Sequence, residues 1–172
     1  MRKITLALIT ILLLTSLTYG QNGIDINDAN YKFKFTLSSD WKERQVEETP
    51  KKDAISYSFD KSDGKIAIML LAFKVSEVKN LNDFIYTLEK DLTLNIPKKD
   101  GDYTDFDSGN YDGRSAKYKD TEFTEIIYYY RSKLIDAENY TYLLRFITPT
   151  SNYNSGVEEE IKKLAGNFTP NF

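Results

Sequence analysis

Apolar and polar residues alternate strictly in several short segments of the chain. In YKFKFTL, residues 31–37, every second side chain is apolar and the intervening residues are Lys, Lys and Thr. This period is typical of a strand with one buried face. It recurs at 55–59 and 140–148, whereas 66–75 is a nearly continuous apolar run, typical of a strand covered on both faces. All four segments are predicted to be strands.

Two other segments have a helical period. Asn80 is a good cap for a helix that ends before Pro97 and carries one apolar stripe, formed by Leu81, Phe84, Ile85, Leu88 and Leu92. Ser155 and Glu158 form a capping box for a second helix, whose apolar positions are Val157, Ile161 and Leu164. Gly166 is predicted to end this helix in a left-handed conformation. We expect both stripes to pack on a sheet rather than on a partner helix.

The segment EIIYYYRSKLI, residues 125–135, places three tyrosines inside an apolar run. In a strand, Tyr128 and Tyr130 point one way and Tyr129 the other, so the three rings cannot form one binding platform. We expect Tyr128 and Tyr130 to pack in the core beside the segment at 140–148, which returns as the second strand of an antiparallel hairpin. Some of the many tyrosines in the chain are also expected to line a groove.

The remaining charged segments are predicted to be loops. Residues 45–52 are charged and contain Pro50, and residues 98–112 are acidic and poorly patterned. Asp112 and Gly113 form a typical hairpin turn before a short strand. The order of strands, helix, strands and helix then predicts an α+β fold with helices packed on an antiparallel sheet.

The first twenty residues have the pattern of a secretory signal peptide. Arg2 and Lys3 precede an uncharged, mostly apolar run, and Thr18 and Gly20 are small residues before a cleavage site at Gln21. This run is shorter than the ~20 residues that span a bilayer, which favours cleavage over an uncleaved anchor, and no later run is long enough. We therefore predict a secreted or periplasmic protein with a signal peptide at 1–20, a flexible lead-in at 21–30 and one domain at 31–172.

The composition excludes several kinds of chemistry. The chain contains no cysteine and no histidine, so disulfides, thiol nucleophiles, Ser-His-Asp triads and the usual zinc and copper sites are excluded. The net charge of −3 argues against a nucleic-acid partner. Adjacent carboxylates at 158–160 fall in the first turn of a predicted helix, where they complement the helix dipole. We expect neither an enzyme nor a cofactor.

The acidic segment DGDYTDFDSGNYDG, residues 100–113, is the best candidate for a metal site. Its carboxylates are hard oxygen ligands suited to calcium, and the candidate ligands are Asp100, Asp102, Asp105 and Asp107. No frame of the segment satisfies the EF-hand pattern, which needs Gly at the sixth position and Glu at the twelfth. The alternative is a solvated loop that leads into a hairpin.

The same segment is the best candidate for a protein-binding surface. Tyr103, Phe106 and Tyr111 lie among carboxylates and lack the alternation of a core strand, so they are predicted to be exposed aromatic anchors. The alternative is that Phe106 and Tyr111 pack under the sheet.

Three stretches of the sequence resemble the PsbP-like family. They are FTLSSDW (35–41), DGRSAKY (112–118) and IKKLAGNF (161–168), which occur in the family's order of strand, turn, strand and last helix. The usual proline three residues before the tryptophan is replaced by Ser38. The family includes the photosystem II extrinsic subunit, a Ran-binding import factor and small bacterial periplasmic proteins. The resemblance implies an α/β/α sandwich with a central antiparallel sheet and no catalytic residues.

Two functions remain open from the sequence. The first is a non-catalytic binding or assembly accessory with a protein partner. The alternative is a carrier that holds a small apolar or aromatic ligand between sheet and helix. A carrier would release its ligand on denaturation, whereas an accessory would retain a protein partner.

Overall fold

The computed structural model of the chain describes residues 23–74, 78, 80–91, 93–108, 110–133 and 139–170. The predicted signal peptide lies outside these residues. A short 3-10 helix covers Thr150–Asn152. The strands and α-helices are β1 (Ile24–Asp28), β2 (Phe33–Leu37), β3 (Trp41–Glu48), β4 (Ala54–Lys61), β5 (Ala67–Lys74), α1 (Leu81–Lys90), β6 (Thr104–Ser108), β7 (Tyr111–Lys119), β8 (Phe123–Ser132), β9 (Tyr140–Pro149), α2 (Ser155–Ala165) and β10 (Phe168–Pro170).

The strands form two antiparallel sheets. Seven of them make a large sheet in the order β3-β4-β5-β9-β8-β7-β6, and the other three make a small sheet in the order β1-β2-β10. One face of the large sheet is covered by the small sheet together with α2, and the other face is covered by α1. Neither of the helices described is long and apolar enough to cross a membrane.

The predicted α/β/α sandwich is wrong. The described part of the chain is mostly β, with 52% of its residues in strands, and a second sheet occupies much of one face where the prediction placed helix. The physical reason is β2, whose alternating residues bury Phe33 and Phe35 against the large sheet and leave two open edges. The strands β1 and β10 close those edges by pairing with β2 on either side.

The face under the small sheet is filled mainly by aromatic side chains. The ring of Phe168 lies 5.7 Å from that of Phe33 and 4.9 Å from that of Tyr130, so β10 links the two sheets. The Tyr142 hydroxyl donates to the backbone carbonyls of Tyr31 and Lys32 at 2.9 and 2.8 Å. This hydrogen bonding satisfies a phenol that is fully buried, as burial requires.

The opposite face is covered by α1, as its apolar stripe predicts. The Asn80 side chain accepts a hydrogen bond from the Asp83 amide and caps the helix, which confirms the predicted start. Phe84, Ile85 and Leu88 are buried on the sheet. Leu92, the last predicted member of the stripe, lies outside the described residues.

The predicted antiparallel pairing of β8 with β9 is confirmed, while residues 134–138 between them lie outside the described part of the chain. Tyr128 and Tyr130 face the small sheet and Tyr129 faces α1, so the three rings do not share a surface. Tyr130 is paired in register with Tyr142, and the ring of Tyr128 lies 5.9 Å from that of Phe146.

Several local predictions are wrong. Part of the predicted flexible lead-in, residues 24–28, is β1, and the first half of the predicted loop at 45–52 belongs to β3. Asp112 and Gly113 lie inside β7 and do not form its turn. Asn154, not Ser155, caps α2, because its side chain accepts from the Val157 amide. Gly166 has φ −66°, so α2 does not end in a left-handed residue.

A buried ion pair fixes the segment that leads from α1 to β6. Arg145 of β9 and Glu125 of β8 pair through two hydrogen bonds, and both side chains are almost fully buried. Arg145 also donates to the carbonyl oxygen of Leu94 at 2.6 Å. A buried charge needs hydrogen-bond partners, and the Leu94 carbonyl is one of the partners of Arg145. This hydrogen bond therefore holds the backbone near Leu94 against the sheet.

Candidate functional site

The strand β6 is the last strand of the large sheet on one side. It pairs with β7, with Thr104 opposite Ser115 and Phe106 opposite Gly113. No other strand among the described residues pairs with it. Half of the backbone N–H and C=O groups of such an edge strand point outward and are free to pair with another chain.

Phe106 and Gly113 hold β6 against β7. A Cβ atom at Gly113 would lie 1.9 Å from Cε2 of Phe106, so the phenylalanine ring rests directly on the glycine backbone. The ring also lies 5.4 Å from that of Tyr130. Glycine at 113 is therefore required by this ring and not by a hairpin turn.

The chain before β6 also follows β7, but with a bulge. The Lys119 amide donates to Lys98 at 2.9 Å, and the Asp100 amide donates to Lys117 at 2.7 Å. The chain then leaves this ladder at Gly101, whose φ of +93° favours glycine. The bulge places Asp102 in solvent ahead of the free edge.

A groove lies between α2 and the β6 end of the sheet, and we call it the α2 groove. Its volume is about 360 Å³. In this groove Lys117 pairs with Asp100 at 3.0 Å and Lys162 pairs with Glu158 at 3.0 Å. The groove is lined by Asp100, Asp102, Thr104, Ser115, Ala116, Lys117, Ile126, Tyr128, Tyr153, Glu158 and Lys162.

The α2 groove carries more negative than positive charge. Its three carboxylates face two lysines, and Asp102 forms no hydrogen bond or ion pair with any described residue. Hydrogen bonds from Lys162 and Tyr153 lower the pKa of Glu158, so this carboxylate is ionised at neutral pH. Burial raises the pKa of the Tyr153 phenol, and its hydrogen bond to Glu158 raises that pKa further. The groove is therefore acidic, with protonated phenols in its wall.

A second groove, the α1 groove, lies on the other face of the same edge. It has a volume of about 380 Å³ and is lined by Leu81, Asn82, Asp105, Phe106, Asp112, Gly113 and Arg114. Arg114 forms a two-point ion pair with Asp105 and donates a further hydrogen bond to Asn82. The hydrogen bond from Arg114 lowers the pKa of Asp105. The two grooves thus flank β6, one on each face.

A polar network anchors Tyr103 beside the α1 groove. The Tyr103 hydroxyl donates to Glu89 at 2.6 Å, and the Tyr118 hydroxyl donates to the same carboxylate oxygen. The hydroxyls of Tyr118 and Tyr129 are 2.9 Å apart. Burial and the hydrogen bond to Glu89 raise the pKa of Tyr103 to about 12. The sequence analysis missed Glu89, because one glutamate on the polar side of a helix gives no pattern that distinguishes it.

The three predicted anchor residues do not form one surface. Tyr103 packs on the α1 side of the sheet, whereas Phe106 and Tyr111 pack on the side of the small sheet. All three side chains are half-buried, and the ring of Tyr111 lies 5.6 Å from that of Tyr130. Whether any of them contacts a partner stays a prediction.

Three of the four candidate calcium ligands, Asp100, Asp102 and Asp105, are not gathered around one point. Asp100 pairs with Lys117 and Asp105 pairs with Arg114, while the side chain of Asp107 lies outside the described part of the chain. Among the side chains that are described, no group of three acidic residues is arranged to hold a metal ion. Asp100 and Asp105 thus have counter-ions on β7, and a calcium site in this segment stays a prediction.

Comparisons with known proteins bear on the fold alone. No protein-family model and no curated protein matches the chain. A solved crystal structure from Bacteroides thetaiotaomicron VPI-5482 is similar, with a TM-score of 0.51 at 12% sequence identity. The match covers 88% of this chain and 49% of that chain, so the protein spans about half the length of its structural neighbour. The resemblance to the PsbP-like family stays a prediction.

Proposed function

We propose that the protein is a non-catalytic, secreted or periplasmic accessory that binds another protein along β6. The observation that carries this proposal is the free edge of β6, with an open groove on each of its two faces. An extended segment of a partner can add to such an edge through main-chain hydrogen bonds, and its alternate side chains then enter grooves on the two faces.

The lining of the grooves supports a protein partner over a small apolar ligand. Charged and hydroxyl side chains make up much of both linings, whereas sites for apolar molecules are mostly hydrophobic and enclosed. The space between α1 and the sheet is filled by buried side chains, among them Phe84, Ile85 and Leu143. Among the described residues, no enclosed apolar site supports the carrier function.

The pairing of the charged groups supports a binding role without catalysis. The charged side chains of the α1 and α2 grooves lie mostly in ion pairs, as Asp105 does with Arg114 and Glu158 with Lys162. A nucleophile is usually activated by an adjacent general base, and that base must be free to accept a proton. The full sequence contains no histidine or cysteine to supply one.

Photo-crosslinking in cells of the source organism tests the proposal. A photoreactive amino acid replaces Thr104, which is exposed on β6, and the matched control replaces Gln45, which is exposed on the opposite edge strand β3. We expect one defined protein adduct at position 104 and none at position 45. Equal labelling at both positions, or no adduct at position 104, would contradict the proposal.

A further inference from the structure

An added strand beside β6 would direct side chains into the α2 groove. Thr104 is on the same face as Ser115 and Lys117 and forms the outer wall of this groove. A residue paired with Thr104 from outside would lie about 5 Å away and point its side chain to the same face. Side chains on alternate positions of the partner therefore enter the groove from its open side.

The charge of the β6 edge indicates which kind of partner side chain the α2 groove would bind. The segment from Asp100 to Asp107 contains four aspartates and no basic residue. Among the charged side chains of the α2 groove, only Asp102 has no partner in the described part of the chain, while Asp100 and Glu158 are paired with lysines. One negative charge is therefore left without a counterpart, and a single cationic group would balance it.

The same charges disfavour a second copy of this chain as the occupant. Pairing β6 with β6 of another copy would place two acidic segments side by side, and like charges on paired strands are destabilising. A basic segment of a different protein has no such penalty.

We propose that the partner adds an extended segment to β6 and places a lysine or arginine side chain in the α2 groove. The cationic group lies beside Asp102, and its aliphatic stem packs on the rings of Tyr128 and Tyr153. This inference rests on the proposed function, because it names the kind of segment that the β6 edge accepts.

Synthetic peptides test the inference directly. Three labelled peptides of alternating threonine and valine differ only at the central residue, which is lysine, norleucine or glutamate. We expect fluorescence anisotropy to show the lysine peptide binding about fivefold more tightly than the norleucine peptide, because the ion pair is partly exposed. The glutamate peptide should bind most weakly. Equal affinities, or no binding of any peptide up to about 1 mM, would overturn the inference.

Two variants of equal charge locate the preference. Asp102→Asn should remove the preference for lysine over norleucine and leave the affinity for the norleucine peptide unchanged. Glu159→Gln removes one negative charge from the exposed side of α2, outside the groove, and should keep the preference. A preference that survives Asp102→Asn, or that is lost equally in both variants, would contradict the placement.

The failure of the inference is distinguishable from that of the proposed function. A crosslink at position 104 without any charge preference among the peptides overturns the inference and leaves protein binding at β6 intact. Sedimentation tests the remaining alternative, which is a second copy of the chain paired along β6. If the protein is a dimer and the Thr104→Asp variant is a monomer, a second copy occupies the edge. That result would overturn the inference that a basic segment of a different protein binds at β6.

Discussion

The two edge strands of the large sheet, β3 and β6, protect themselves in different ways. Seven of the eight residues of β3 are exposed, and they include Lys42, Arg44, Glu47 and Glu48, charges of both signs. Its register with β4 shifts between Glu43 and Gln45. Mixed charge and irregular pairing are the usual protection of an edge against further strands.

The edge at β6 has less of this protection. The strand is five residues long and follows a bulge, and none of the described strands pairs with its outer side. Phe106 anchors it from one face, and the two grooves leave space beside both faces. One groove, with a volume of about 450 Å³, also borders β3. It is lined by residues of β3, β4 and β5, among them Glu47 and Leu71. The difference is the reason that the proposed partner is expected at β6 and not at β3.

The largest effect should come from the ion pair that holds the segment before β6. Arg145→Met leaves Glu125 buried without a partner and removes the donor to Leu94. We expect a loss of about 3–5 kcal/mol in the free energy of unfolding, measured by urea denaturation. Hydrogen exchange should rise near Leu94 and β6 more than in β3.

Arg44→Met is the matched control on the other edge. Arg44 lies 3.9 Å from Asp60, and both side chains are mostly exposed. The free energy of unfolding should change by less than about 0.5 kcal/mol. If Arg44→Met lowered the free energy of unfolding as much as Arg145→Met does, the two ion pairs would not differ in their contribution to stability.

The next effect should come from Gly113→Ala. The new methyl group would displace the Phe106 ring, and overpacking of this kind costs about 1–3 kcal/mol. Thermal denaturation measures the loss, and the amides of β6 should exchange faster while those of β3 do not. An unchanged melting temperature would mean that Phe106 does not rest on Gly113.

A smaller loss is expected from Phe106→Ala. Truncation of a fully buried phenylalanine to alanine lowers the free energy of unfolding by about 3–5 kcal/mol. Because the Phe106 ring is half-buried, we expect a loss of about 1–2 kcal/mol. Val46→Ala, at an exposed position of β3, should cost less than about 0.5 kcal/mol. Equal losses in the two variants would place Phe106 in solvent and not in the core.

The smallest effect concerns pH. Arg114 lowers the pKa of Asp105 in the folded protein, so this pair stabilises the fold at neutral pH. That stabilisation is lost as the pH falls below about 4 and Asp105 becomes protonated. Asp105→Asn should therefore flatten the acid limb of the curve of unfolding free energy against pH. The double variant with Arg114→Met should flatten it no further, and an additive result would contradict the pairing.

The elements that the sequence predicts well are those with a strong local period. Phe84, Ile85 and Leu88 recur at helical spacing, so α1 and its buried face are predicted by residues that lie within three turns of one another. The alternation around Tyr129 predicts β8 in the same way. Local patterns of this kind need no knowledge of the rest of the chain.

The elements that it predicts poorly are strands stabilised by distant partners. Residues 45–52 read as a loop because they are charged and contain Pro50, yet β3 continues to Glu48 and pairs with β4. The acidic edge at Thr104–Ser108 is a strand because Phe106 rests on Gly113, a contact that no local period indicates. For the same reason, the sequence predicted which segment contains the candidate site but not its two grooves.

The pairing of β10 with β2 has a consequence for how the chain folds. The Asn167 side chain donates to the Thr36 carbonyl oxygen at 3.2 Å across 131 positions of sequence. Phe33 and Phe35 of β2 contact Tyr57 and Phe59 of β4 as well as Phe168 of β10, so two sides of the same aromatic cluster form over very different loop lengths. Contacts so distant in sequence slow folding, because a long loop must close before they form. The packing of β2 on β4 should thus precede the docking of β10, which we expect to be the slow step.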